Sequence, residues 1–397
     1  MDASAAGVGA HLRELAPGLI ALRRALHTHP ETGRQEHETT ARVATLLTEA
    51  GLAPKVLDVG TGLVCDIGTE GPVVLLRADI DALPMQDVKD VPYRSQVSGA
   101  CHACGHDVHV ASLVGAASVL ARLPLPGRVR MVFQPAEEQL PGGALDVIRE
   151  GWLEDVRLAF ALHCDPSLDV GRIGLKRGAL TASADGVDLL LTGPGGHTSR
   201  PHNTVDLVHA TASIATGLPD ALSRLVDPRS GASLVWGHVS AGAARNAIPR
   251  EAVLKGTLRL LDQSLWEAAP ALVERLAQQL VVPFGAEVRV VYQRGVPPVM
   301  NDPRAVEIMR EAVVGSLGHA AAVTTEQSLG GEDFAFYLQQ VPGCMGRLGV
   351  RTPGSTASMD LHQPTFDVDE AAIAIGSRVL VECALRGLAI PSSPDAA

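Results

Sequence analysis

VVLLRAD, residues 73–79, is a short apolar run that ends in charge. Two later stretches share its design: RVRMVFQPAEE (128–138) and RLAFALHCD (157–165), each with polar residues just past its apolar stretch. Runs of this kind, separated by helical stretches, read as buried strands of an α/β sheet. Open α/β sheets place their ligand sites outside the carboxyl ends of the strands. Chemistry is therefore expected near residue 79, after residue 134 and around residue 163.

Toward the N-terminus, residues 11–52 carry apolar residues at helical spacing, with Gly51 near an end, and read as helical. From residue 183 the pattern changes. DGVDLLLTG alternates as a strand, TVDLVHATASIATGL is helical, ASLVWGHVSAG and REAVLKGTLRLLD are strands, LWEAAPALVERLAQQLV is an amphipathic helix, and AEVRVVYQRG is a last strand. The order β-α-β-β-α-β over about 110 residues predicts a ferredoxin-like sandwich long enough to be its own domain. After Pro297 and Pro298 helical and strand signals resume. The expected organisation is one α/β domain, residues 1–182 and 295–397, with residues 183–294 inserted into it. Beyond a Pro/Ser tail at 391–397 there is no low-complexity segment, and no internal repeat.

The chain has 397 residues, 46% of them hydrophobic and 19% charged, which is a globular composition. A net charge of −11 and only 3% aromatics disfavour a nucleic-acid partner, which needs basic surface and stacking platforms. The opening MDASAAGVGAHLRELAPGL lacks a positive region followed by an apolar core, so no secretory signal is expected. No apolar run approaches the roughly 20 residues of a membrane helix. Six thinly spread cysteines, at 65, 101, 104, 164, 344 and 383, suit a reducing cytoplasm better than a disulfide framework.

CHACGHDVH (101–109) packs two Cys, three His and one Asp into nine residues ahead of an apolar helix. Thiolate and imidazole are the ligands of soft-to-borderline metals, so the cluster points to a catalytic metal site. A redox Cys101-x-x-Cys104 pair and half of a structural zinc site are the competing readings. The first lacks its usual context; the second lacks another CxxC. In FQPAEE, Glu137 and Glu138 follow a strand end. One could bind metal while the other serves as a base, although alone the pair reads as capping of the next helix. His163, at the end of an apolar run, and His362, in SMDLHQPTF, read individually as a core histidine and a loop histidine.

Taken in order, RADIDALPMQD, CHACGHDVH, FQPAEE, GPGGHTSRPHNTVD, ARNAIP, GTLR, GGEDFAFY and LHQPTFD resemble the M20 metallopeptidase family, in particular its hippurate-hydrolase and auxin-conjugate-hydrolase branch, from about residue 20 to 385. The resemblance implies a hydrolase-like α/β catalytic domain with an inserted ferredoxin-like lid and dimerisation domain. It implies two divalent metal ions, zinc first, with manganese, cobalt or nickel as alternatives. By motif position the metal ligands are Cys104, His106, Glu138, His163 and His362, with Cys104 in the place of a bridging carboxylate. Other branches use a histidine where this chain has Arg77, and His106 then supplies the imidazole. Glu137 matches the general base, and Asp79 a residue that orients a ligand. Cys101, His102 and His109 match no ligand position and read as packing neighbours.

The resemblance further implies that His197, on a glycine-rich loop, acts from a partner subunit on the oxyanion. Asn246 and Arg259 would hold a substrate carboxylate; without that context Arg259 reads as a strand-surface salt bridge. Glu332 and Asp333 read as capping a helix near the site. The activity implied is hydrolysis of the amide of an N-acyl amino acid by a homodimer or homotetramer. The alternative on the same scaffold is a carboxypeptidase or dipeptidase. In the implied mechanism, two divalent ions about 3.5–4 Å apart lower the pKa of a shared water, and one carboxylate carries its proton to the leaving amine. A non-catalytic binding module would need a lost base or ligand, and none is lost. A thiol enzyme using Cys104 as nucleophile would be inactivated by alkylation that metal cannot reverse.

Overall fold

The computed structural model describes residues 5–355 and 360–390, so the Pro/Ser tail and the Ser358–Met359 start of the SMDLHQPTF motif lie outside the described residues. The chain forms two compact units. The first takes the chain up to Gly178, Met300–Glu326 and everything from Asp333 on; the second is Ala179–Val299 with Gln327–Glu332. The short segment Gln327–Glu332 thus belongs with the second unit, although the sequence reading placed it with the first.

In chain order the first unit supplies α1 (Ala5–Thr28), α2 (His37–Glu49), β1 (Val73–Asp79), α3 (His106–Leu120), β2 (Arg128–Gln134) and β3 (Val156–Asp169). The second supplies β4 (Ala184–Thr192), α4 (Leu207–Leu225), β5 (Ser233–Ala241), β6 (Glu251–Arg259), α5 (Gln263–Val281) and β7 (Glu287–Val296). The chain returns to the first for α6 (Pro303–Leu317), β8 (Gly343–Arg351) and α7 (Ala371–Ala389).

The expected N-terminal helix is two helices. Thr28 ends α1 and His37 starts α2. Pro30 lies between them, and a proline can neither donate a helical hydrogen bond nor let the residue before it settle into the α region.

The first unit is built on an eight-stranded sheet, whose centre runs β2-β1-β3-β8. These four strands are parallel neighbours: Asp79 pairs with Gln134, Arg77 with Ala161, and His163 with Arg347. β1 is buried along its whole length, as expected for a strand covered on both faces. α3 is also buried almost all round, which suits its apolar sequence VASLVGAASVL. It packs between α1 and α7.

The second unit is a four-stranded antiparallel sheet in the order β5-β6-β4-β7. With α4 and α5 this is the ferredoxin-like βαββαβ arrangement. Along β4 burial alternates residue by residue, so Val187, Leu189 and Leu191 face the helices. Asp206 and Asp262 cap the two helices by accepting the amides of His209 and Leu265. Among the described residues no helix is long and apolar enough to cross a membrane.

Candidate metal centre

The carboxyl ends of β1 and β2, and the part of β3 that runs beyond them, meet the start of α3. Gly105 begins that helix with φ +84, and a Cβ there would lie 2.7 Å from Cys164 Sγ. Only glycine lets the CHACGH turn approach β3 so closely. The approach sets Cys104 Sγ 3.4 Å from His163 Nε2.

The turn after β2 is equally crowded. A Cβ on Gly143 would sit 1.9 Å from the Pro135 carbonyl oxygen. Gly143→Ala is therefore expected to destabilise the fold by about 1–3 kcal/mol or more, read as a fall in melting temperature. Glu137 and Glu138 occupy this turn and not the first turn of the next helix, which starts at Ala144, so the capping reading of the pair does not hold.

The five expected ligands converge. Ligand atoms of Cys104, His106 and His163 lie within 4.8 Å of one another; so do those of Cys104, Glu138 and His362, and those of His106, Glu137 and Glu138. Glu138 Oε1 is 3.3 Å from His362 Nε2 and 3.9 Å from His106 Nε2, and Glu137 Oε2 is 4.0 Å from His106 Nε2. His362 reaches the cluster from a half-exposed loop with φ +60, and its amide is pinned to the Ala103 carbonyl at 2.8 Å.

The donors fit divalent cations. His106 Nδ1 lies 2.9 Å from the Asp81 carbonyl oxygen, and His163 Nδ1 lies 2.8 Å from that of Cys164. A carbonyl only accepts, so both rings donate from Nδ1 and turn Nε2 toward the cluster. His106 Nε2 and Glu138 Oε1 are buried with no hydrogen-bond partner, which buried polar atoms rarely tolerate. Burial opposes charge on His106, yet Asp79, Asp81 and Glu138 more than offset it and raise its pKa to about 10. Burial, then Glu138, Glu137 and Asp79, push the Cys104 thiol well up. Such a thiol is a poor nucleophile by itself and becomes a good ligand once a cation neutralises the pocket.

Behind the cluster stands a support that the sequence reading assigned only to packing. His109 Nδ1 is 2.6 Å from Asp79 Oδ1, and the Cys164 amide donates to His109 Nε2 at 2.9 Å. His109 is thus a neutral donor to Asp79, with both nitrogens engaged. Arg77 Nη1 donates to Asp79 Oδ2 at 2.6 Å, and Arg77 also pairs with Asp333 at 2.8 Å. Burial would favour the neutral acid, but Arg77, His106 and His109 hold the Asp79 carboxyl well below its usual range. Asp333 accepts the Ala144 amide at 3.0 Å, at the start of the helix Ala144–Arg149, whereas the helix it precedes, Ala335–Leu338, has no side-chain cap at its N-cap residue. Partners from separate strands and loops leave no local pattern that would have disclosed the role of His109.

His27, Asp87 and Cys101 form another buried group. Lys89 Nζ lies 3.5 Å from Asp87 Oδ2 and 4.0 Å from Cys101 Sγ, so an ammonium already stands where a metal would. The group reads as an ion-pair network with Arg23 and Asp107, whose contact is 2.7 Å. Burial works against charge on His27, but Asp107 and Asp87 raise its pKa to about 10. A raised pKa stabilises the fold fully below the unfolded value of 6.5, and the contribution is lost as pH rises through about 10. Denaturant titrations of the metal-free protein are expected to show His27→Gln costing most at pH 6 and progressively less toward pH 10. His102 matches its packing role: it is buried, and burial takes its pKa down to about 3. All six cysteines are free and buried.

The three residues expected to bind substrate lie in the second unit. His197 pairs with Ala247 in a two-stranded ladder, so Asn246 is its near neighbour. Its Nδ1 accepts from the Ser199 amide at 3.1 Å. Arg259 ends β6, and its guanidinium donates to the Leu329 carbonyl instead of forming a surface salt bridge.

The family model described as Peptidase family M20/M25/M40 matches residues 75–386. N-acetylcysteine deacetylase of Bacillus subtilis is 38% identical over 374 residues, 92% of this chain and 96% of that protein. A Rhodococcus jostii protein named for a glutamate–cysteine ligase is 47% identical over 364 residues, but the chain spans only 46% of its length. The solved structure of the Bacillus subtilis YXEP protein, described as a dinuclear metal-binding peptidase of the M20 family, superposes with a TM-score of 0.84 at 35% identity and covers 95% of this chain and 99% of that one.

Proposed function

The chain belongs to peptidase family M20/M25/M40, and from that premise we propose that it hydrolyses the amide bond of N-acyl amino acids with two divalent metal ions. The observation that carries this reading is the convergence of Cys104, His106, Glu138, His163 and His362 beside a further carboxylate, Glu137. When bound, the two cations would polarise the amide carbonyl and acidify the attacking water. The remaining steps fall to side chains of this chain. His106 and His163, fixed by carbonyls at Nδ1, present Nε2 as ligand atoms. Glu137 takes the proton of the water at a carboxylate oxygen and delivers it to the leaving nitrogen. Asp79, held by Arg77 and His109, sets its carboxylate 3.6 Å from His106 Nε2 and adds negative charge beside that ligand atom, which draws a cation to it.

The substrate's carboxylate would be held by Asn246 and Arg259, and the developing oxyanion by His197 of a partner subunit in a homodimer or homotetramer. Zinc suits one thiolate with three imidazoles, and manganese, cobalt or nickel are to be compared with it. The name of the Bacillus subtilis deacetylase makes acetylated amino acids, N-acetylcysteine among them, the first substrates to try.

The test is a parallel assay of N-acyl amino acids and dipeptides on protein stripped with chelator and then resupplied with metal. Hydrolysis of the acyl amino acids is expected to vanish on chelation and return with zinc or manganese. Turnover of dipeptides alone would favour the carboxypeptidase or dipeptidase reading. Full activity in the stripped protein would remove metal from the mechanism.

A further inference from the structure

We propose that Glu36 and Asp81 are positioning residues that clamp the turn carrying the base, each accepting one of the two amide hydrogens that flank Glu137. The Ala136 amide donates to Glu36 Oε1 at 2.7 Å, and the Glu138 amide donates to Asp81 Oδ2 at 3.0 Å. Both carboxyl groups are buried, at 0% and 1% exposure, and they come from separate segments, one just ahead of α2 and one just past β1.

The turn needs such a clamp. Ala136 has φ +52, a left-handed conformation that an alanine adopts only when its surroundings hold it there. Its amide is inside the protein and must be paired. Without Glu36 the residue would relax toward ordinary backbone angles and swing Glu137 and Glu138 with it. On the other side, Asp81 ties the turn directly to a ligand: its backbone carbonyl accepts from His106 Nδ1 at 2.9 Å while its Oδ2 holds the Glu138 amide. One residue therefore fixes the spacing between two donors of the cluster.

Glu36 is itself anchored. Its backbone carbonyl accepts the Thr40 amide at 3.0 Å, and the Thr40 hydroxyl oxygen accepts the Gly62 amide at 2.8 Å. Burial and the nearby Asp81 raise the Glu36 pKa, and Glu36 Oε2 makes no hydrogen bond. Only its accepting Oε1 is used, and a glutamine can reproduce that.

The inference rests on Glu138 as a ligand and Glu137 as the base. Full-length wild type, Glu36→Gln, Glu36→Leu, Asp81→Asn and Asp81→Leu are stripped of metal, titrated with zinc against a chromophoric chelator, and assayed for kcat and KM. Glu36→Leu and Asp81→Leu are expected to bind zinc about 10–100-fold more weakly and to lose a similar factor in kcat, with little change in KM. Glu36→Gln and Asp81→Asn, which keep an accepting oxygen, should recover most of both. If one leucine variant does not fold, the other decides. Folded leucine variants that bind zinc and turn over as wild type does would overturn the clamp, as would Glu36→Gln failing as badly as Glu36→Leu. Wild type that binds no zinc would overturn the metal-site reading itself.

Discussion

Glu137→Gln is expected to lower kcat by at least about two to three orders of magnitude while metal content stays at the wild-type level. The substitution keeps size and shape and removes only the proton acceptor. Glu137 stands beside the ligand cluster, with Oε2 4.0 Å from His106 Nε2, close enough to serve a water held between the donors and the amide carbon. KM should change little, because the carboxylate acts on the proton in flight and not on the substrate's ground state. Metal analysis alongside steady-state kinetics checks both halves. Near-normal turnover would take Glu137 out of the mechanism, and loss of metal would make it a ligand.

Cys104→Ala is expected to have an equally large effect by a different route. Two donor groups share this thiol, one with His106 and His163 and one with Glu138 and His362. Its removal should lower bound metal below two per chain and cut kcat by at least about a hundredfold, since even partners outside a ligand set commonly cost 10–100-fold. Cys104→Asp should regain much of the metal and part of the activity, because a carboxylate can also bridge two cations. A nucleophilic thiol predicts the reverse: Cys104→Asp would be dead with its metal intact.

Much of this architecture is written locally. β1, β2 and β3 each announce themselves as apolar runs, and their polar ends mark the sheet edge where Asp79, Glu137, Glu138 and His163 gather. The alternation in DGVDLLLTG reports which side of β4 is covered. The CHACGH cluster is legible for the same reason: its ligands and the glycine that lets them approach β3 lie within a few residues of one another.

What escapes is everything whose cause is distant in sequence. Glu137 and Glu138 look like a helix cap until tertiary packing turns them toward His106. The Asp79 partner of His109 lies 30 residues away and its Cys164 partner 55 residues away, so His109 reads as filler on the following helix. Glu36, ahead of a helix, resembles a helix-start residue, and its bond to an amide 100 residues on leaves no spacing to detect. The break at Pro30 was available from backbone chemistry alone, but a continuous apolar period on both sides conceals it.

The most direct test of the metal centre is a crystal structure of zinc-loaded protein with anomalous scattering recorded on both sides of the zinc edge. Two peaks are expected, both within ligand distance of Cys104, one also contacting His106 or His163 and the other Glu138 or His362. Zinc bound elsewhere, or none among these five side chains at saturating metal, would contradict the account.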